Sequence, residues 1–454
     1  MVALSRRKLL QLAAFGVAAQ MLPFRSFNAL AQSAGDEYRA LICIFLFGGN
    51  DGDNMVVPMD GQAYQDYATV RGALAHPVSN LLQIGVIDPS QSPYGLTMYG
   101  LHPSMTHLSA LASHLAVVAN VGTLVEPMTK DEYLNRLKPR PQALFSHSDQ
   151  QAQMQNASPL QSSFSGWGGR IIDRLQSLNP VASFPAGISM SGNNVLLVGE
   201  QSRPVSLSGG DSILLSGASG TAGEARTVAM QQTLGLDSGF GLMQAANATL
   251  SQGILVGQAI SDALGASTLT TPFPNSSLGR QLQQVAQLIQ AREALGMQRQ
   301  VFFCSTGGFD THSDQLPQHA NILGGLSQAM AAFYEATVEM NIADKVTTFT
   351  ESDFGRTFQP NPTLGTDHAW GSYQLVLGGA VSPGFYGTLP TLQLNGPDST
   401  DGRGRWIPTT GLDQYGATLA SWFGIGDGDM STVFSNINNF PVSNLGFLNG
   451  PVLL

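Results

Sequence analysis

Charge is scarce in this sequence. Only 11% of its 454 residues are Asp, Glu, Lys or Arg, and Lys stands at four positions alone, 8, 130, 138 and 345. The net charge is −10, and no basic block follows the N-terminus. A nucleic acid, which is held by cations that neutralise phosphates, is therefore argued against as a partner. So is a polybasic grip on a membrane surface. Cysteine is almost missing as well. Cys43 and Cys304 make no disulfide framework. Both lie in apolar, strand-like runs, LICIFLF and VFFCS, and read as buried thiols. A bridge between them requires neighbouring strands with Cα atoms within about 7 Å. Beyond the N-terminus no apolar run reaches the roughly 20 residues of a membrane-spanning helix. The 51 Gly and 24 Pro are about a sixth of the chain. That exceeds the average of about 12% but stays below the roughly 25% of low-complexity chains. What remains is a loop-rich globular protein with a sizeable core, built as one large α/β domain or two to three average ones.

The first 31 residues read as an address. Ser5-Arg6-Arg7-Lys8-Leu9-Leu10 opens an apolar stretch that runs to Leu22, and Ala29-Leu30-Ala31 supplies a small-x-small cleavage pattern. This is the pattern of a twin-arginine signal peptide. A mature chain beginning near Gln32 is expected in the periplasm or outside the cell, delivered by the twin-arginine machinery and carrying no integral membrane segment.

Helix and strand signals alternate through the rest. Residues 38–47, YRALICIFLF, form a continuous apolar run expected of a strand buried on both faces. Comparable strands are expected at 114–122, 299–308, 345–355 and 373–380. Helices are expected near 103–113, 279–296, 319–340 and 413–425. This order predicts an α/β fold, a mostly parallel sheet covered by helices. Residues 184–277 are Ser/Gly/Ala/Thr-rich and nearly uncharged, and read as an insertion packed on that domain. Within it ISMSG and NNVLLVGE are candidate strands of a hairpin, and 223–265 is expected to be helical.

Chemistry-bearing residues cluster directly after the strands. Gly48-Gly49-Asn50-Asp51-Gly52-Asp53-Asn54 puts carboxylates and amides in one tight turn, which suits a divalent cation or simply an Asx-rich turn. Gly307-Gly308-Phe309-Asp310-Thr311-His312 lets a carboxylate and an imidazole converge, although Asp310 could equally cap a helix. Glu351-Ser352-Asp353-Phe354-Gly355-Arg356 adds an acidic strand end and a candidate anion clamp, Arg356. Gly365-Thr366-Asp367-His368 adds another Asp-His pair. In Phe145-Ser146-His147-Ser148-Asp149, Ser146 stands as a helix N-cap or, in the same geometry, as a nucleophile at a helix N-terminus. In a chain this poor in charge, four acidic turns at four strand ends point jointly to a metal-binding or hydrolytic site.

Taken in order, FLFGGNDGDNMVVP, SHSDQQAQ, GWGGRIIDRL, GGFDTHSDQ, ESDFGRT, GTDHAWGSYQLVLGGAV and TTGLDQYGATLASWFGI resemble the domain of unknown function 1501 family. By similarity that family belongs to the alkaline phosphatase/sulfatase superfamily. The resemblance covers about residues 40–425. It implies an alkaline-phosphatase-like three-layer α/β/α sandwich with two divalent ions at the strand ends, whether zinc, calcium, magnesium or manganese. Asp51, Asp310, His312, Asp353 and His368 are the implied ligands, and Ser146 is the implied nucleophile. Two departures stand out. Phe354 follows Asp353 where the superfamily has His, and Asp310 and His312 are closer in sequence than the usual Asp-x-x-x-His. Asp367 and His147 are the candidates to supply what is missing. The expected activity is an exported metal-dependent hydrolase of a small phosphate or sulfate ester, with Ser146 and Arg356 in its catalytic centre. The alternative is a catalytically degenerate exported binding or envelope-assembly protein of the same fold.

Overall fold

The computed structural model describes residues 37–161, 163–179, 184–207, 220–236 and 239–449. The expected signal segment and the expected start at Gln32 lie outside these residues. In chain order the strands are β1 (Arg39–Leu46), β2 (Val56–Pro58), β3 (Leu82–Ile87), β4 (Thr97–Leu101), β5 (Leu115–Gly122), β6 (Gly187–Ser189), β7 (Val205–Ser206), β8 (Arg299–Thr306), β9 (Val346–Ser352), β10 (Ser372–Gly378), β11 (Gly384–Tyr386) and β12 (Thr410–Gly411). The longer helices are α1 (Gly61–Arg71), α2 (His147–Asn156), α3 (Trp167–Leu175), α4 (Gly220–Leu234), α5 (Gly241–Gly265), α6 (Ser277–Gln290), α7 (Gln315–Glu339) and α8 (Leu412–Phe423).

The apolar runs become strands because both their faces are covered. Every residue of β1, β5, β9 and β10 is buried. Alternate side chains enter two separate cores, as a period of two requires. Ile42, Ile44 and Leu46 pack with Leu282 and Val285 of α6 and Leu323, Met330 and Phe333 of α7. Leu41, Cys43 and Phe45 pack on the opposite face with Trp167 and Ile171 of α3 and Leu419, Trp422 and Phe423 of α8. These are the three layers expected. The same alternation settles the thiols. β1 and β8 are neighbours, but Cys43 pairs with Phe303 and Cys304 with Ile44. The one-residue offset sends the two sulfurs to opposite faces, so both remain free.

The sheet order is β11-β5-β10-β9-β1-β8-β6-β7, with β12 also beside β5. Only β10 runs against the others. A small antiparallel sheet, β2-β4-β3, sits apart. The insertion differs from expectation in one respect. Residues 194–200 form turns, and β6 pairs in parallel with β7 at the sheet edge, so the hairpin is absent. α4 and α5 supply the expected helices, and Val256 and Ile260 of α5 join the core under α6. Among the described residues no helix is long and apolar enough to cross a membrane.

This topology decides where the chemistry goes. β9, β1 and β8 are adjacent and parallel, so the turns after them, at 353–357, 48–54 and 307–314, emerge at one sheet edge. β10 is antiparallel, so the turn before it, 365–371, arrives at that edge too.

Candidate metal centre

Two glycines let the turns meet. Gly48 has φ +114°, and a Cβ there would come within 2.5 Å of the Asp310 backbone nitrogen. A Cβ on Gly355 would lie 2.0 Å from the Gly371 carbonyl. The close approach at Gly355 lets residues 355–357 pair with 367–370, through Ala369 N–H to Gly355 O and Thr357 N–H to Asp367 O. That pairing sets Arg356 beside His368.

Asp310 is the centre of the arrangement. Its Oδ1 accepts from Arg356 Nη2 at 2.8 Å. The same oxygen faces His312 Nε2 at 3.0 Å, His368 Nε2 at 3.3 Å and His147 Nε2 at 3.5 Å. His312 Nε2 and His368 Nε2 are 3.1 Å apart. The other nitrogen of each ring is held by an acceptor. His147 Nδ1 donates to Asp353 Oδ2 at 2.7 Å, His312 Nδ1 to Asp367 Oδ1 at 3.0 Å, and His368 Nδ1 to the Phe145 carbonyl at 2.7 Å. Phe145 adopts φ +75°, an uncommon conformation for a bulky residue, in the turn that offers this carbonyl. With Nδ1 of each ring turned to an acceptor, the three Nε2 atoms converge on one carboxylate oxygen. His147 Nε2 is buried and makes no hydrogen bond.

Burial pushes the Asp310 carboxyl up, but the Arg356 charge and hydrogen bond, with His312 and His147 beside it, bring it below its ordinary value. Burial lowers His368, against the Phe145 carbonyl bond and with help from Arg356. Burial also acts upward on Asp367, and the bonds from Asn361, Arg403 and His312 overcome it, leaving a value of about 2. Arg356 is itself buried, and its Nε and Nη1 have no partner.

The remaining expected residues sit around this centre. Both oxygens of Asp353 are engaged, Oδ1 by Gly48 N–H and Oδ2 by His147 and Gln151. It therefore orients His147. Asp51 is fully buried and held by Arg71 of α1 and Gln315 of α7. Burial acts upward on its carboxyl, and the charges of Arg71 and His319 with the bonds from Arg71 and Gln315 bring it below its ordinary value. Ser146 is the N-cap residue of α2 but makes no capping bond through its side chain; its Oγ bonds to Asp149. Its two chain neighbours both touch the centre, Phe145 through His368 and His147 through Asp353.

A family model described as "Protein of unknown function (DUF1501)" matches residues 38–399. The chain belongs to the DUF1501 family. No curated protein matches it. Solved structures similar to this DUF1501 protein include the zinc complex of the C-terminal periplasmic domain of EcEptC from Escherichia coli, at 10% identity over 76% of this chain and 74% of that one, with a TM-score of 0.32. The lipoteichoic acid synthase LtaP from Listeria monocytogenes is 8% identical over 89% of this chain and 76% of its own, with a TM-score of 0.36. The phosphonate monoester hydrolase of Agrobacterium radiobacter is 9% identical over 87% and 74%, with a TM-score of 0.33. Likeness at this level carries neither ligand nor activity to the DUF1501 chain.

The donor set itself fits an ion. His147, Asp310 and His368 each offer one ligand atom, and all three atoms lie within 4.8 Å of one another. His312 adds a fourth donor against two of them. Metal-bound histidines characteristically have their second ring nitrogen held by a carboxylate or carbonyl, as all three are here. His147 was visible in the sequence only as the neighbour of Ser146 and, with Asp367, as a candidate to replace the missing imidazole. Gln315 gave no signal, because amides carry none until a structure shows their partners. It accepts at Oε1 from Thr311 and Thr366, next in the chain to Asp310, His312 and Asp367, and donates to Asp51.

Proposed function

We propose that this protein is a metal-dependent hydrolase of phosphate or sulfate esters, exported by the twin-arginine route, with a centre on Asp310, His147, His312 and His368. The observation that carries the reading is the meeting of three imidazole Nε2 atoms at one carboxylate oxygen, a donor set of the kind that holds a cation. A set of three nitrogens and one oxygen favours zinc or a similar transition metal over calcium or magnesium, which prefer oxygen. Such an ion supplies a Lewis acid that polarises an ester oxygen. The chain's own residues do the rest. The unpartnered Nε–H and Nη1–H of Arg356 are the donors for an anionic ester group. Ser146 Oγ, bonded to Asp149, is the attacking hydroxyl. It bonds to the phosphorus or sulfur as the bond to the ester's alcohol oxygen breaks, Asp149 takes its proton, the alcohol leaves, and water then frees phosphate or sulfate from Ser146. Asp353 and Asp367 keep His147 and His312 in the tautomer that turns Nε2 inward.

A second reading, a catalytically degenerate binding or envelope-assembly protein, is favoured by one feature. Phe354 stands where the superfamily has an imidazole and packs against the His147 and His368 rings at 4.8 Å. Hydrolysis of 4-nitrophenyl phosphate and sulfate separates the two. Chelator-stripped protein should be inactive and zinc should restore turnover. Ser146→Ala should abolish turnover with the melting temperature nearly unchanged, and Ser148→Ala should retain it. Turnover that ignores both chelator and Asp310→Asn rules out the metal hydrolase. Zinc binding with no turnover of any ester leaves the binding protein.

A further inference from the structure

The two-ion centre implied by the family resemblance fits this chain only by half. The Asp310 cluster accepts one ion. A second would need Asp51, Asp353 and an imidazole at 354, and each of these is engaged or replaced. Asp51 has one oxygen on Arg71 and the other on Gln315, with no exposure of the Asp51 or Arg71 side chain. Asp353 has both oxygens in hydrogen bonds to Gly48, His147 and Gln151. Phe354 offers carbon, and Gly49 leaves it room, since a Cβ there would come within 2.5 Å of its ring.

We propose that the guanidinium of Arg71 is the built-in counter-charge of Asp51, standing where a second cation would be needed, so that the centre holds one metal ion per chain. The inference rests on the metal reading above and limits it. Arg71 reaches the position from α1, at the end of its last turn, and also lies 4.0 Å from Asp53. An arginine cannot give up its proton or leave, so the charge at Asp51 is permanent. Asp51 then becomes a positioning residue. Through Gln315 it ties Thr311 to Thr366, and so the turn carrying Asp310 and His312 to the turn carrying Asp367 and His368. The Thr366 N–H to Thr311 carbonyl bond, 3.0 Å, closes the same link in the backbone.

The test is a zinc titration of the chelator-stripped chain, read as bound zinc per protein after gel filtration. One equivalent is expected. Asp51→Asn should keep that equivalent, since Asn can still accept from Gln315, and His368→Ala should lose it. Two equivalents in the wild type, or loss of the single one in a folded Asp51→Asn, overturns the proposal and leaves the metal reading standing. No bound zinc in the wild type overturns both. Asp51→Asn leaves Arg71 buried without its counter-charge, so if that variant does not fold the wild-type stoichiometry decides alone.

Discussion

Asp353 shows how far a residue's role depends on what its neighbours leave free. It sits at the strand end where a ligand was expected, yet both of its oxygens are engaged, and the imidazole it holds points at the centre instead. Removing its charge should therefore weaken the ion and not the fold. Asp353→Asn is expected to lower zinc affinity about 10- to 100-fold, the usual cost of an altered partner behind a metal-bound histidine. Competition with a chromophoric chelator measures this, and an unchanged affinity would place His147 outside the centre. Asp51 illustrates the opposite case. Its sequence position matches a ligand, while its burial against Arg71 makes it an anchor. Local sequence could not show this, because Arg71 is 20 residues away and Gln315 is 264.

At the scale of elements, the centre exists because turns from four strands can approach closely, and Gly48 is where a positive φ and a close approach to the Asp310 turn coincide. Gly48→Ala would impose a side chain at φ +114° and drive it into the backbone of Phe309 and Asp310. Strain of this kind costs on the order of 1–3 kcal/mol, so a lower melting temperature together with weakened zinc binding is expected; a variant as stable and as tightly bound as the wild type would show that the turn can move. The strands themselves were legible. YRALICIFLF announced β1 by a continuous apolar run that stops at Gly48, and the alternation of helix and strand signals announced β9, α6 and α7. NNVLLVGE misled for a physical reason: Leu196 and Leu197 are buried against the α3 side of the sheet from a turn, so an apolar run there meant packing and not pairing. The Cys43–Cys304 relationship needed the register, which no composition reveals.

At the scale of the whole molecule, a second group of imidazoles sets the response to acid. His102 and His319 are buried, and His76 is partly so; the rings stack edge-on, with His76–His102 centroids 4.3 Å apart and His102–His319 5.7 Å. Burial, with neighbouring imidazoles and, for His319, Arg71 and Arg356, lowers His102 to about 3 and His319 to about 4, against the pull of Asp51. Below about pH 6.5 the unfolded chain takes up protons that the folded chain refuses, so stability falls as pH drops toward these values. Asp53 and Asp413, raised by burial to about 7, act oppositely and lose stability as pH rises from about 4 toward 7. Comparing variants isolates the histidine share. His102→Asn keeps an acceptor for the Ser104 N–H and should flatten the fall in unfolding free energy between pH 6 and 4.5 by about 1.4 kcal/mol per pH unit; an unchanged slope would mean that His102 is protonated in the fold. The central claim concerns the other imidazoles, and anomalous diffraction at the zinc edge from zinc-loaded crystals tests it most directly. A single peak is expected about 2.0–2.2 Å from Asp310 Oδ1 and from the Nε2 atoms of His147 and His368. No peak there, or a peak bridging Asp51 and Asp353, would contradict it.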